Sequence, residues 1–198
     1  MLERLVLASN NPGKIKEIQA IFGHAKIHAQ SEFGVPEAEE NGSTFVENAI
    51  IKARNAAHYS RRPALADDSG IEVDALNGEP GVRSARYAGP GASDRENLDK
   101  LLEQMKGVEV DRRSARFLCV IVYMKHAADP RPLIAEGVWE GRILYEPRGA
   151  NGFGYDPVFW VPDFECSSAQ LSPAQKNCIS HRAVALKKLA ALLADTDR

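Results

Sequence analysis

The sequence is short of cysteine, of long apolar runs and of excess charge, and each shortage removes a class of protein. Cys119, Cys166 and Cys178 are odd in number and far apart, with no Cys-x-x-Cys pair. Neither a disulfide framework nor a structural zinc site is indicated. No apolar run approaches the length of a membrane span, and Met1 to Leu7 lacks a hydrophobic region with a small-residue cleavage site, so a cytoplasmic protein is expected. Twenty-five basic residues against twenty-seven acidic ones give a formal charge of -2 without a long basic run. That disfavours a nucleic-acid binder while leaving room for a local basic pocket. His24 and His28 have helical metal-ligand spacing, but the segment lacks the accompanying Glu and reads as a short strand. Asn41-Gly42-Ser43 matches a glycosylation sequon, yet nothing directs the chain to secretion.

What remains is ordinary globular material. A chain of 198 residues with 44% hydrophobic composition can bury a sizeable core, as one large domain or two intimately joined lobes. Leu5 to Ala8 reads as a short strand, followed by an amphipathic helix with Ile15, Ile18, Ile21 and Phe22 on one side. A second strand is expected near Ile27. Thr44 with Glu47 and Ser93 with Glu96 are spaced as capping boxes. The first predicts a helix to about Ala57; the second predicts a helix whose Leu98, Leu101, Leu102 and Met105 form a core stripe. Ala115 to Met124 is almost continuously apolar, which suits a strand buried on both faces. Leu133 to Trp139, with Ile143 and Leu144, continues a sheet that includes antiparallel neighbours. Ser172-Pro173 with Gln175 marks a late helix start.

Chemistry concentrates in a few stretches. Ala66-Asp67-Asp68-Ser69-Gly70 sets adjacent carboxylates at the end of an apolar run, before a glycine turn. Ionised carboxylates are costly to strip of water unless a cation or donors meet them, so the pair suggests a metal or cationic ligand. A solvated acidic turn is the alternative. In a strand over 64–68, Asp67 sides with Leu65 and Asp68 with Ala64 and Ala66. One carboxylate then leads, and loss of the Asp67 charge is expected to matter less than loss of Asp68.

Ser9-Asn10-Asn11-Pro12-Gly13-Lys14 lies between strand and helix. Backbone N–H groups at a helix start, the positive end of its dipole and a lysine suit phosphate. It is not a Walker A loop: Ala8 stands where the first glycine belongs, and Ile15 where Ser or Thr should follow the lysine. An ordinary connection with Pro-Gly punctuation fits the same residues. Lys52 shares a helical face with Phe45, so it either snorkels to solvent or aims into a polar cleft. The loop of Gly78, Gly81 and Gly89, with Arg83, Ser84, Arg86 and Tyr87, reads as structural or interfacial, with a catalytic arginine as the alternative. In Gly152-Phe153-Gly154-Tyr155-Asp156-Pro157, glycines leave the Phe153 ring approachable by a flat ligand, though a lone aromatic also serves packing. Lys176 and His181 on one uninterrupted helix would point about 140° apart. Ser180 offers a break by capping a new helix, which would set His181 and Arg182 in its first turn.

Together these stretches closely resemble the inosine triphosphate pyrophosphatase family over nearly the whole chain. The carriers are Ser-Asn-Asn-Pro-Gly-Lys from Ser9, Glu-Glu-Asn-Gly-Ser-Thr-Phe from Glu39, Ala-Asp-Asp-Ser-Gly from Ala66, Gly-Phe-Gly-Tyr-Asp-Pro from Gly152, and Lys176 with Ser180-His181-Arg182. Five ordered motifs are far more specific than any one. Members commonly carry Thr-Gly-Asn where Ser9-Asn10-Asn11 stands, and often Thr in place of Asn41. The resemblance implies an elongated α/β fold in two lobes around a long mixed β-sheet with a central substrate cleft, spanning 1–198, and usually a homodimer. It further implies that Ser9, Asn10, Asn11, Pro12, Gly13 and Lys14 hold a triphosphate. Glu39 and Asp68 would bind Mg2+, with Asp68 as general base toward water. Ser69 would contact substrate, and Lys52 and Lys176 would face phosphate. Phe153, Gly154, Tyr155, Asp156, His181 and Arg182 would enclose the base. The implied activity is hydrolysis of ITP, dITP and XTP to the monophosphate and pyrophosphate. Two rivals stand beside it: a magnesium-dependent phosphatase that releases orthophosphate, and a nucleotide-sensing or RNA-binding module without turnover.

Overall fold

Alternation with a period of two decides how the first half of the chain folds, because it gives each strand two different apolar faces. A computed structural model describes residues 5–22 and 27–196; His24 lies outside them, and His28 sits on a strand. Seven strands form one mixed sheet in the order β2-β1-β3-β4-β5-β6-β7. They are β1 (Leu5–Leu7), β2 (Ile27–Ala29), β3 (Ala64–Val73), β4 (Ser114–Met124), β5 (Leu133–Ile143), β6 (Phe159–Val161) and β7 (Cys166–Ser167). The helices are α1 (Pro12–Phe22), α2 (Phe45–Ser60), α3 (Asp94–Gln104), α4 (Pro173–Ile179) and α5 (His181–Thr196). The chain divides into two compact units, and β3, β4 and β5 each run through both.

The first unit comprises residues 1–68, 119–137 and 181–198. Here β1 pairs in parallel with β2 and β3. Val6, Ala8, Ala64, Ala66, Val120 and Val122 turn to one face, against Ala49, Ala53, Ala56 and Ala57 of α2. Leu5, Leu7, Leu65, Cys119 and Ile121 turn to the other, against Ile18 of α1 and Ala185, Leu186 and Leu189 of α5. The helix α2 starts as its capping box demands: Thr44 Oγ1 accepts from the Glu47 amide, and Glu47 Oε2 accepts from the Thr44 amide at 2.9 Å. It ends at Ser60, three residues beyond the expected Ala57, where Arg61 turns left-handed with φ 53°.

The second unit comprises residues 69–118 and 138–180. Its core gathers Ile71, Val73, Leu98, Leu101, Met105, Phe117, Trp139, Tyr155 and Phe159. Here β5, β6 and β7 pair antiparallel. Three expectations are corrected. Gly70 is not a turn: β3 runs on to Val73, because Ile71 and Val73 keep alternating and bury on the core side. Leu133 to Leu144 is a single strand to Ile143, not two pieces. In β4 only the stretch from Cys119 to Met124 is buried on both faces, whereas Ser114 to Leu118 alternates.

Candidate active site

Strand β3 carries its two carboxylates to opposite faces. Asp68 sides with Ala64 and Ala66, toward α2, where Asn48 and Lys52 lie one helical turn apart. The Lys52 ammonium is 2.8 Å from Asp68 Oδ1 and 3.2 Å from Glu40 Oε2. Asn48 Nδ2 donates to Asp68 Oδ2 at 3.4 Å, and Asn48 Oδ1 accepts from the Gly42 amide at 2.8 Å, tying the acidic loop to the strand end. Burial would lower the Lys52 pKa, but the charges of Asp68, Asp67 and Glu40 outweigh it and hold the ammonium above its ordinary value. Burial pushes the Asp68 carboxyl above its ordinary value, with the Lys52 charge opposing. An acid raised this way accepts a proton more readily, as a general base must.

Asp67 faces the other way, toward α1 and α5. Its Oδ2 lies 3.1 Å from Lys14 Nζ and accepts from Arg182 Nη2 at 3.0 Å. The guanidinium of Arg182 is buried and also pairs with Glu17 of α1. Burial alone would raise the Asp67 carboxyl, but Lys14 and Arg182 hold it far below the usual carboxylate range. The expected alternation holds, and the face it selects for Asp67 is filled with cations.

The segment Ser9 to Lys14 is only half a loop. Pro12, Gly13 and Lys14 form the first turn of α1, because Asn11 Oδ1 accepts from the Lys14 amide at 3.1 Å and proline suits the first helical position. Ser9 Oγ accepts from the Asn11 amide at 3.2 Å, and Asn10 Nδ2 donates to Glu37 Oε1 at 2.9 Å. Glu39 is exposed, and its carbonyl accepts from the Asn41 amide at 3.1 Å; its neighbour Glu40 is the one that reaches Lys52.

The remaining residues form a second polar group, within the second unit. Asp156 is buried and accepts from Lys176 Nζ at 2.6 Å, from Ser168 Oγ at 2.7 Å and from the Phe153 amide at 2.9 Å. The Lys176 ammonium also stands 4.9 Å from the centre of the Phe153 ring, a cation–π contact. Tyr155 donates to the Ser84 carbonyl at 2.8 Å, and the Gly154 amide donates to Asp94 Oδ2 at 2.8 Å. Gly152 has φ 78°, and a Cβ there would fall 2.1 Å from Asp156 Oδ2, so glycine is required. Ser69 is half-buried on β3. The structure therefore groups Lys176 with Phe153 and Asp156, and groups Arg182 with Asp67, Lys14 and Glu17. Ser180 is extended at ψ 159° and ends α4, so His181 and Arg182 open α5 as the break predicts.

Sequence reasoning missed Glu17, Glu40, Asn48 and Ser168. Two carried a usable signal, since Glu17 is three residues from Lys14 and Asn48 four from Lys52, the spacings that share a helical face.

Sheet, helix starts and carboxylate–cation networks define an α/β protein with two polar clusters. Similarity narrows the class to a family: residues 5–192 match the Ham1 family, and the chain belongs to it. The dITP/XTP pyrophosphatase of Vibrio cholerae is 57% identical over 191 residues, covering 95% of each chain. That of Pseudomonas aeruginosa is 58% identical over 189 residues, again covering 95% of each. Among solved structures, a HAM1 protein from Coxiella burnetii superimposes with a TM-score of 0.89 at 53% identity, over 98% of this chain and all of that one.

Proposed function

We propose that the protein hydrolyses ITP, dITP and XTP to the monophosphate and pyrophosphate. The observation that carries this is the pairing of Lys52 with both Asp68 and Glu40, beside a capped helix start that bears Lys14. The names of the Vibrio and Pseudomonas relatives support the substrate class. In the reaction, water attacks the α-phosphorus, Asp68 takes a proton from that water, and the bridging oxygen leaves with pyrophosphate. Lys14 and the first turn of α1 hold phosphate oxygens, and Lys52 offsets charge on the leaving group. Phe153 and its loop, with Lys176, offer the base a ring face and polar edges.

Mg2+ belongs to the same proposal. Among the described residues no group of three or more His, Cys, Asp or Glu could hold a metal ion. Mg2+ needs fewer, since it keeps several waters and takes one or two carboxylates plus substrate phosphates. Asp68 and Glu40 already share a cation, the Lys52 ammonium, so the donor set fits; Asp68 with Glu40 or the adjacent Glu39 would hold the ion. When bound, it would offset charge on the phosphate oxygens. A cytoplasmic homodimer is also proposed on the family resemblance, and sedimentation of the purified protein tests the dimer. No described helix is long and apolar enough to cross a membrane.

Incubation with ITP, XTP, GTP and ATP, followed by phosphate speciation, tests the reading. Pyrophosphate from ITP and XTP is expected. Orthophosphate would indicate a phosphatase, and no release would indicate a binding module; either overturns the proposal.

A further inference from the structure

Asp67 cannot share the task of Asp68. Only 1% of it is exposed, and its Oδ2 is met by Lys14 and Arg182. It has almost no contact with solvent. The three residues belong to three elements: Lys14 opens α1, Arg182 opens α5, and Asp67 lies next to the end of the first-unit part of β3. Arg182 returns to α1 through Glu17, one turn beyond Lys14, so Lys14, Asp67, Arg182 and Glu17 form a chain of alternating charge that starts and ends on α1.

An independent observation fixes one link of that chain. A Cβ on Gly137 of β5 would lie 2.0 Å from the His181 carbonyl oxygen and 2.6 Å from the Ala185 amide nitrogen. Both are backbone atoms, so the first turn of α5 rests directly on the strand, and the root of the Arg182 side chain has little room to shift. Lys14 is the opposite case. Its ammonium ends a flexible four-carbon stem and is 18% exposed, so something must aim it.

We infer that Asp67 is a positioning residue, a buried carboxylate braced by Arg182 that holds the Lys14 ammonium in the pose in which it meets phosphate. This rests on the assignment of Lys14 to phosphate under the proposed function. Arg182 then acts through Asp67 rather than on the base, so its loss weakens all triphosphates alike instead of shifting the choice among bases.

The test measures binding of inorganic triphosphate by calorimetry, and kcat and KM on ITP, XTP and ATP, for Asp67→Asn, Lys14→Ala and the double variant. Asp67→Asn is expected to weaken triphosphate binding by about ten-fold or more, as loss of a charged hydrogen bond implies, and to raise KM equally for each nucleotide with kcat little changed. In the Lys14→Ala background it should add almost nothing, because the two act as one unit. A folded Asp67→Asn protein that binds triphosphate as the wild type does would overturn the inference, as would effects that multiply in the double variant. If Asp67→Asn fails to fold, Arg182→Lys, which keeps the buried charge, decides: a uniform fall on ITP, XTP and ATP supports the strut, and an altered ratio refutes it. The proposed activity fails separately, if the wild type releases no pyrophosphate from ITP, whereas triphosphate binding still reports on the strut.

Discussion

Among the described residues two arginines are almost wholly buried, at 1% exposure each, and they are satisfied in opposite ways. Arg182, in the first unit, is met by the carboxylates of Asp67 and Glu17. Arg113, in the second, donates to backbone carbonyls: Ile143 at 2.8 Å, Met105 at 2.9 Å, Val108 at 3.1 Å and Leu144 at 2.9 Å. Its guanidinium also stands 4.2 Å from the centre of the Tyr145 ring. Burial lowers the pKa of both, but the carboxylates reverse the sign for Arg182 and nothing does so for Arg113. Around Arg182 the first unit thus gathers full charges near one another, as the second does at Asp156 and Lys176. The second uses a cation as a clamp, closing the end of α3 onto the end of β5. A planar fork of several N–H donors that reaches four carbonyls at once explains why the clamp is an arginine.

The largest effect expected from this contrast is catalytic. Asp68→Asn keeps the side-chain shape but loses both the charge proposed to hold Mg2+ and the proposed basicity toward water, so turnover should fall by about 10²- to 10⁴-fold. Near-normal rates in a folded variant at saturating magnesium would move the chemistry elsewhere. Next in size is Arg113→Met, which strips donors from buried carbonyls and should cost about 3 kcal/mol or more in urea unfolding. Because the clamp touches none of the proposed site, kcat of the surviving folded protein should hold. A large loss of kcat without loss of stability would give Arg113 a role that its contacts do not suggest.

How far the chain could be read in advance follows the same division. Helix starts at Thr44, Ser93 and Ser172 were legible because a capping box is local, and each is formed as its spacing requires. The opposed faces of Asp67 and Asp68 were legible because strand alternation is rigid. The partners were not: Arg182 finds Glu17 across 165 residues, and nothing in local spacing announces such a pair. Gly70 misled as a turn signal, since glycine accepts an extended backbone as readily as a turn and Ile71 and Val73 kept the strand going. The strands β6 and β7 are three and two residues long, too short for any periodicity to show.

A smaller effect sharpens the contrast at Lys176, which resemblance assigns to phosphate and the structure sets beside Phe153 and Asp156. Lys176→Met should raise KM for ITP by about ten-fold while leaving the affinity for inorganic triphosphate within about two-fold, the loss being one charge-assisted contact. If triphosphate binding collapsed as well, Lys176 would be a phosphate ligand after all.

The smallest effect asks whether the two units unfold as one. Each has its own capping box, Glu47 in the first and Glu96 in the second, and hydrogen bonds from Thr44 and Ser43, or from Ser93, lower each carboxyl from its ordinary 4.5. A lowered carboxyl releases its proton more readily in the folded protein than in the unfolded chain. Its stabilisation is therefore complete above about pH 4.5 and fades as the pH falls below that value. Glu47→Gln and Glu96→Gln should each lower Tm by about 1 °C at pH 7 and by progressively less toward pH 3. Since β3, β4 and β5 run through both units, a single calorimetric transition should shift in both variants. Two transitions, with Glu47→Gln moving one and Glu96→Gln the other, would show that the shared strands do not make the units one cooperative body, and that the charged unit and the clamped unit stand or fall alone.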